Sequence, residues 1–351
     1  MNENTWEISV LDQPEDDASQ SARAANPTPT AGLSFTNAGN NLIYCDNPEA
    51  FGVSPSTLAC MWGASVGTAF KDVELYTNMY NGYGNNSAYR FGIAVQNTTG
   101  SAVTITYKYA GGTCLSNATN GSLSITGAVQ RNFLTASTKT KSIPAGSTAI
   151  LDYTGGNFKT GLSAWAYFHG CLKASVSSGV YLRVFIAGAN HVNNTAGLFQ
   201  IPVSSWGGDP SAIKSNFFCG EVSYSQKNCT MDASSGQVYV LNEWPANVLN
   251  SNEYTRSSSY INGGLNVLAG NYGVIYRMNI RNASNKKIRI TPYWTRANAA
   301  SLVVRFNGGS WENVDIPYNG CIYRSLGSSS TQTVEMMLPG GNYGNNTVDF
   351  F

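Results

Sequence analysis

The sequence predicts an all-β protein: two antiparallel β-sandwich domains, jelly-roll-like or immunoglobulin-like, with an extended N-terminal strand and linker. Three observations carry this expectation. Short segments rich in Val, Ile, Thr, Tyr and Phe recur along the chain, and clusters of Asn, Gly and Pro separate them. No segment past residue 36 keeps a helical period for more than about three turns. The chain has 351 residues, of which 36 are Gly, 42% are hydrophobic and only 12% are charged. Short strands at near-regular spacing in such a composition stack as sandwiches or barrels.

The elements follow in order. Trp6, Ile8 and Val10 alternate with polar neighbours, the period of a half-buried strand over 5–11. The acidic stretch 12–20 and then Asn26-Pro-Thr-Pro-Thr read as a flexible or extended linker, so that 1–35 forms an N-terminal extension. Strands are predicted at 72–80, 88–96, 102–109, 148–153, 163–169 and 180–187. The breakers between them are Asn81-Gly, Asn97-Thr-Thr-Gly, Ala110-Gly-Gly, Pro144-Ala-Gly and Gly155-Gly-Asn. The run from Tyr89 to Tyr107 has a counterpart from Tyr276 to Tyr293: Tyr-Arg, an alternating strand, an Asn-led turn and a second alternating strand. This reads as one hairpin used twice, giving related domains at 36–190 and 191–351. Independent hairpins of similar grammar are the plainer alternative.

Charge divides unevenly. Residues 1–35 hold six acids against Arg23 alone, for −5, while the remainder holds fourteen acids and twenty bases, for +6. An alternating strand on an acidic leash beside a basic body suits addition to a neighbour's sheet edge; a free tail, or a strand folded back on its own domain, is the alternative. A net charge of +1 excludes a polyanion-binding surface spread over the whole protein. No apolar run approaches the roughly 18–20 residues that span a membrane, and the first residues lack the pattern of a signal peptide.

Seven cysteines are present: Cys45, Cys60, Cys114, Cys171, Cys219, Cys229 and Cys321. None forms a Cys-x-x-Cys pair, and His169 and His191 are the only histidines, so neither a zinc site nor another cofactor is expected. Well-spread cysteines in a β-rich chain suit disulfides in an oxidising setting. Cys45–Cys60 and Cys219–Cys229 are local candidates and Cys114–Cys171 a third; buried reduced thiols are the alternative. Connectivity stays open, and an odd count leaves one thiol free or bonded to another molecule.

At Gly270-Asn-Tyr-Gly-Val-Ile-Tyr-Arg-Met and Val304-Arg-Phe-Asn-Gly-Gly the chain resembles a group of Firmicutes secreted and cell-surface β proteins. Members of that group often carry a stalk domain similar to an amine-oxidase N-terminal region. The resemblance extends to Gly67-Thr68, the strand and turn at 91–100 and the turn Ile143-Pro-Ala-Gly-Ser. It implies an envelope-associated structural role and supplies no catalytic residues. A spore-surface or appendage protein would reconcile that role with the missing signal peptide.

Catalytic patterns are weak. Gly63-Ala-Ser-Val-Gly67, followed by Asp152 and His169, mimics a hydrolase triad, but a strand-like segment follows where that elbow needs a helix. The neighbouring acids Asp46/Glu49, Asp72/Glu74 and Glu312/Asp315 could serve a glycosidase but more simply hydrate outer faces. Aromatics near loops, among them Tyr76, Tyr80, Tyr83, Trp206 and Trp311, suit a carbohydrate surface or sandwich cores. Arg277, Arg281, Lys286, Lys287 and Arg289 form the only basic cluster, too little for a nucleic-acid partner.

The expected function is therefore a non-enzymatic extracellular structural subunit, on a cell or spore surface. It would self-assemble into a filament, appendage or layer by adding the Trp6–Ile8–Val10 strand to a neighbour, with intermolecular disulfides as a further lock. The partners are copies of itself, with surface glycans second. A carbohydrate-binding adhesin and a phage or viral shell or fibre protein are the alternatives.

Overall fold

The computed structural model describes residues 5–10, 27–46, 58–64, 72–80, 89–114, 121–152, 167–175, 179–191, 197, 218–243, 249–254, 259–260, 268, 270–292, 299–317, 320–340 and 345–351. In chain order the strands begin with β1 (Glu7–Val10), β2 (Thr36–Ala38), β3 (Asn41–Asp46), β4 (Leu58–Ala64), β5 (Asp72–Tyr80) and β6 (Tyr89–Asn97). Strand β7 (Val103–Cys114) leads to helix α1 (Gly121–Thr135), then β8 (Lys139–Ile143), β9 (Thr148–Asp152), β10 (Tyr167–Ser175) and β11 (Val180–Gly188). Next come β12 (Phe218–Val222), β13 (Gln226–Asp232), β14 (Tyr239–Leu241), β15 (Ser259–Tyr260) and β16 (Ile275–Arg281). The last are β17 (Lys287–Pro292), β18 (Ala299–Phe306), β19 (Glu312–Pro317), β20 (Gly320–Ser325), β21 (Thr331–Met337) and β22 (Asn346–Phe350).

The strands build four sheets. The first is ordered β4-β11-β6-β9 and the second β15-β12-β3-β5-β10-β7-β8. The third is ordered β19-β18-β21-β16-β13-β2 and the fourth β1-β20-β17-β22-β14. Neighbours run antiparallel except β3–β5 and β13–β16, which are parallel. The all-β expectation holds, and the strands at 72–80, 148–153 and 180–187 fall almost where the sequence places them. Of the one predicted at 163–169, residues 163–166 lie outside the described residues, and the described strand runs from Tyr167 to Ser175.

The repeated hairpin is a different object from the one its sequence suggests. Strand β6 pairs with β11 and β9 in the first sheet, while β7 pairs with β10 and β8 in the second. Likewise β16 lies in the third sheet and β17 in the fourth. Each unit is an arch that crosses from one sheet to another, so its two strands never share a ladder. The polar turns explain why. At the first, buried Asn97 donates to the carbonyls of Ser101, Ile143 and Pro144 at 2.8, 3.0 and 3.1 Å and accepts from Thr99, which satisfies a corner rather than a two-residue hairpin loop. At the second, Asn282 and Asn285 take positive φ (55° and 57°), a conformation Asn tolerates better than most residues.

The correspondence goes further than the arches. Strands β6 and β11 pair as β16 and β21 do, and β7 and β10 pair as β17 and β20 do. Beside β10 sits β5; the matching place beside β20 is taken by β1. Thus the first set draws this strand from the sequence just before β6, and the second draws it from residues 7–10.

A large apolar cluster joins the third and fourth sheets: Tyr276, Met278, Ile280, Val334 and Met336 on one side, Ile288, Ile290, Ile322 and Val348 on the other. Leu33 and Phe35 belong to the same cluster. Residues 27–35, read from composition as linker, are therefore packed structure. The Leu33 carbonyl accepts from Ser251 N (2.8 Å), Phe35 N donates to the Ser251 carbonyl (3.1 Å), and Thr30 N donates to the Val238 carbonyl (2.8 Å). Two apolar side chains at alternating positions outweigh a Pro- and Thr-rich context.

Helix α1 is the main departure from the sequence reading. Phe133 joins Leu42, Tyr44 and Cys171 in a cluster on the second sheet. Toward the third sheet the helix presents polar atoms: Thr126 Oγ1 donates to the Gly340 carbonyl (3.1 Å) and Gln130 Nε2 to the Leu338 carbonyl (3.0 Å). A Cβ on Gly127 would stand 2.1 Å from Asn313 Oδ1 and 2.2 Å from Ser301 Oγ, so a larger residue would have to displace these two hydrogen-bonded side chains. Because one buried side is polar, the apolar period is too weak to read as helical. Gly121, Gly127 and the β-branched Ile125, Thr126 and Val129 lower its helix propensity as well.

Candidate assembly site and buried polar centres

Strand β1 pairs antiparallel with β20 of its own chain, Glu7 opposite Tyr323, Ile8 opposite Ile322, Ser9 opposite Cys321 and Val10 opposite Gly320. It is the edge of the fourth sheet. The three residues singled out from the sequence have distinct places. Trp6 is buried in the large cluster, whereas Ile8, opposite fully buried Ile322, is 50% exposed. Val10 ends the strand opposite Gly320, where a Cβ would meet the Pro317 carbonyl oxygen at 2.8 Å.

The seat of Trp6 has unusual chemistry. The Arg324 guanidinium lies over the Trp6 ring (5.9 Å) and the Phe306 ring (4.4 Å), with Glu312 Oε1 3.8 Å from its Nη1. Burial holds the pKa of Arg324 below the usual arginine range, with Glu312 acting the other way. Trp6 Nε1 and Arg324 Nε are both buried without a hydrogen-bond partner among the described residues. Each such group costs on the order of 1–3 kcal/mol, and both regain water when β1 leaves. The strand is thus anchored by apolar area but opposed by two desolvated polar groups.

On the outer face, charge matches the division seen in the sequence. A hydrogen bond to Glu7 raises the Tyr323 pKa, and burial adds to it. Tyr323 is opposite Arg289 in the ladder, whose Nε and Nη2 hold Asp349 at 2.9 and 2.5 Å. Lys287 lies 5.5 Å from the Tyr323 ring and 5.9 Å from the Phe351 ring. The basic cluster is thus largely engaged; Arg277 and Arg305 both bind Glu335.

A second centre, which sequence reasoning missed, lies where residues 242–243 and 249–254 meet β16. Glu253 is fully buried, and its carboxylate accepts from Asn242 N (2.5 Å), Glu243 N (3.1 Å), Asn250 Nδ2 (2.7 Å) and the Tyr276 hydroxyl (2.8 Å). Glu243 in turn accepts from Leu249 N and Asn250 N. Asn250 Oδ1 accepts from Leu33 N at 2.8 Å, tying the N-terminal segment in. Burial pushes the Glu253 carboxyl upward, and its hydrogen bonds to Asn250, Tyr276 and the backbone pull it back. Nearby, Lys227 is completely buried, with its Nζ 2.6 Å from Asn37 Oδ1, 2.8 Å from the Asn252 carbonyl and 3.9 Å from the Tyr224 ring centroid. Asn-rich loop sequence was the one available signal, because Asn242, Asn252 and Asn271 all adopt positive φ.

The cysteine candidates do not form the bridges suggested by spacing. Cys171, Cys229 and Cys321 are buried thiols, so neither Cys219–Cys229 nor Cys114–Cys171 is joined. Cys114 pairs with Tyr167 and Cys171 with Ala110. That is a four-position offset of about 13 Å, beyond the reach of a disulfide. Cys45 is buried on β3 opposite Cys219, and Cys60 is on β4 opposite Phe185 in a different sheet. Burial pushes the Cys171 and Cys229 thiols upward, away from the reactive thiolate.

The catalytic patterns fare no better. Ser65, Glu49, Tyr83 and Trp206 lie outside the described residues. His169 is buried on β10, and burial lowers its pKa to about 3. Glu74 is held by Asn40 Nδ2 (3.0 Å) and Lys173 Nζ (3.3 Å). Glu312 and Asp315, three apart on β19, face opposite sides. Tyr76 and Tyr80 lie within β5, and Trp311 stacks on Arg305 at 4.6 Å. Among the described residues no group of three His, Cys, Asp or Glu could hold a metal, and no helix is long and apolar enough to cross a membrane.

Two buried groups on the second sheet give opposite pH dependences. Burial raises Glu221 from 4.5 to about 7, against the lowering hydrogen bond from Asn41. Its raised folded pKa gives stability that is full below about pH 4.5 and lost as pH rises through about 7. His169 is depressed, so its contribution is present above about pH 6.5 and lost as pH falls toward 3. Glu221→Gln keeps the volume and removes the first trend. The variant should gain about 2–3 kcal/mol on wild type between pH 5 and pH 8. Urea unfolding at the two pH values reads this, and an equal difference at both would contradict it.

No family model and no curated protein matches the chain. Among solved structures, the Lactobacillus farciminis oxalate decarboxylase formate complex is aligned at 12% identity over 90% of this chain and 86% of that one. Its TM-score is 0.16, at which the alignment spans both chains without superposing their folds.

Proposed function

We propose that this chain is a non-enzymatic extracellular structural subunit of two β-sandwiches that polymerises by exchanging its N-terminal strand. Strand β1 of one copy would take the place beside β20 of the next. The observation that carries the reading is the seat beside β20, filled by residues 7–10 where the matching seat beside β10 is filled by local sequence. Residues 11–26, where the sequence predicts a linker, lie outside the described residues; sixteen residues can span at most about 55 Å. That upper bound would allow β1 to take its own seat or a neighbour's. The contacts are the same in either case, so exchange costs little beyond association entropy. Rehydration of Arg324 and of the Trp6 indole N–H on release favours opening. Head-to-tail exchange yields an open filament unless the rotation closes a ring. The resemblance to Firmicutes surface proteins supports an envelope or spore-surface setting.

Negative-stain microscopy and light scattering of concentrated full chain test the proposal. Polymers are expected, and deleting residues 1–12 should abolish them while the body stays folded. A monomeric full chain at high concentration, or polymers unaffected by the deletion, would sink it.

A further inference from the structure

The contact between Lys227 and Asn37 brings an amine against a carboxamide with no water needed between them. Lys227 is on β13 and Asn37 on β2, and the two are directly opposite in that antiparallel ladder. Lys227 is completely buried, while Asn37, on the edge strand, remains exposed. The Nζ–Oδ1 distance is 2.6 Å. With a C=O bond of about 1.2 Å, the amine lies at most about 3.8 Å from the carboxamide carbon. Two neutral oxygens and the Tyr224 ring face surround the nitrogen. We propose that Lys227 and Asn37 join in an intramolecular isopeptide bond that covalently ties β2 to β13.

The reaction needs no cofactor and no oxidant. Neutral Lys227 Nζ attacks Asn37 Cγ and forms the new C–N bond. The bond from Cγ to Nδ2 then breaks, the proton shed by Nζ passes to the departing nitrogen through water at exposed Asn37, and ammonia leaves. One amide replaces another, so escape of ammonia to solvent sets the direction. Burial favours the neutral amine by lowering the Lys227 pKa to about 8, with Glu253 pulling the other way. Fixed proximity of this kind is worth effective concentrations of about 10⁵–10⁸ M, enough for a slow exchange to finish once. Glu253 acts as a positioning residue: its four hydrogen bonds hold the loop whose Asn252 carbonyl orients the amine.

Intact-mass measurement of the purified full chain tests this. A deficit of one ammonia, about 17 Da, is expected, and Lys227→Met and Asn37→Ala should each abolish it. In a tryptic digest, cleavage after Lys227 should fail, and a branched species should join the peptides that contain Asn37 and Lys227. The unsubstituted chain decides the matter even where a variant does not fold. A full sequence mass with cleavage after Lys227 overturns the proposal. So does an ammonia deficit confined to a linear Asn37 peptide, which would be a succinimide.

Discussion

Replacing Glu253 by Ala should prevent the half of the protein built from the third and fourth sheets from folding. Four donors end on that carboxylate: two backbone N–H groups, the Asn250 amide and the Tyr276 hydroxyl. Each buried donor left unsatisfied costs on the order of 1–3 kcal/mol, so even the lower bound totals about 4 kcal/mol. That is comparable with the roughly 5–15 kcal/mol by which a whole domain is stable. Burial of an ionised carboxylate is itself costly, so part of this loss is offset. Glu253→Gln keeps the shape and one good acceptor, and should cost about 2–3 kcal/mol. Loss of the near-ultraviolet circular dichroism signal checks the Ala variant, and urea unfolding gives the value for the Gln variant. A near-neutral Ala variant would mean that the network is incidental to stability.

Trp6→Ala should destabilise the chain by about 3 kcal/mol, at the lower end of the usual range for a buried tryptophan. The reason for the lower end is specific. Losing the indole opens Arg324 to water and removes an N–H that has no acceptor among the described residues. Trp6→Phe makes the contrast, because it keeps an aromatic face on Arg324 while removing the unsatisfied N–H together with part of the indole ring. It should cost less than Trp6→Ala, about 1–2 kcal/mol. Equilibrium unfolding of the monomer distinguishes them; equal losses for both would contradict the expectation. In the proposed polymer, Trp6→Ala should also shorten filaments, since the same side chain anchors the exchanged strand.

Much of this architecture was legible in the sequence where one local signal sufficed. The alternation of Trp6, Ile8 and Val10 marks β1, and the acidic N terminus anticipates Glu7 beside a basic face. What failed did so for physical reasons. Leu33 and Phe35 offer two apolar residues in a segment dominated by proline, threonine and glycine, so their burial is not visible. The arches share Asn-led turns with hairpins, and only tertiary pairing separates the two. Helix α1 buries Thr126 and Gln130 against carbonyls, which erases the periodicity that would have revealed it. The Glu253 centre is tied to the N-terminal segment by Leu33 and Asn250, far apart in the chain, and no spacing rule joins them.

The distance between β1 and its seat also has a consequence in time. Translation delivers residues 7–10 about 315 residues before it completes β20 at Ser325. At about 5–20 residues per second, the gap is on the order of tens of seconds. Through that interval the nascent strand is finished but its own seat does not yet exist. In the proposed polymer, a chain further along the same messenger would already offer one, and the seat completed first would decide whether the strand closes on itself or is captured next door.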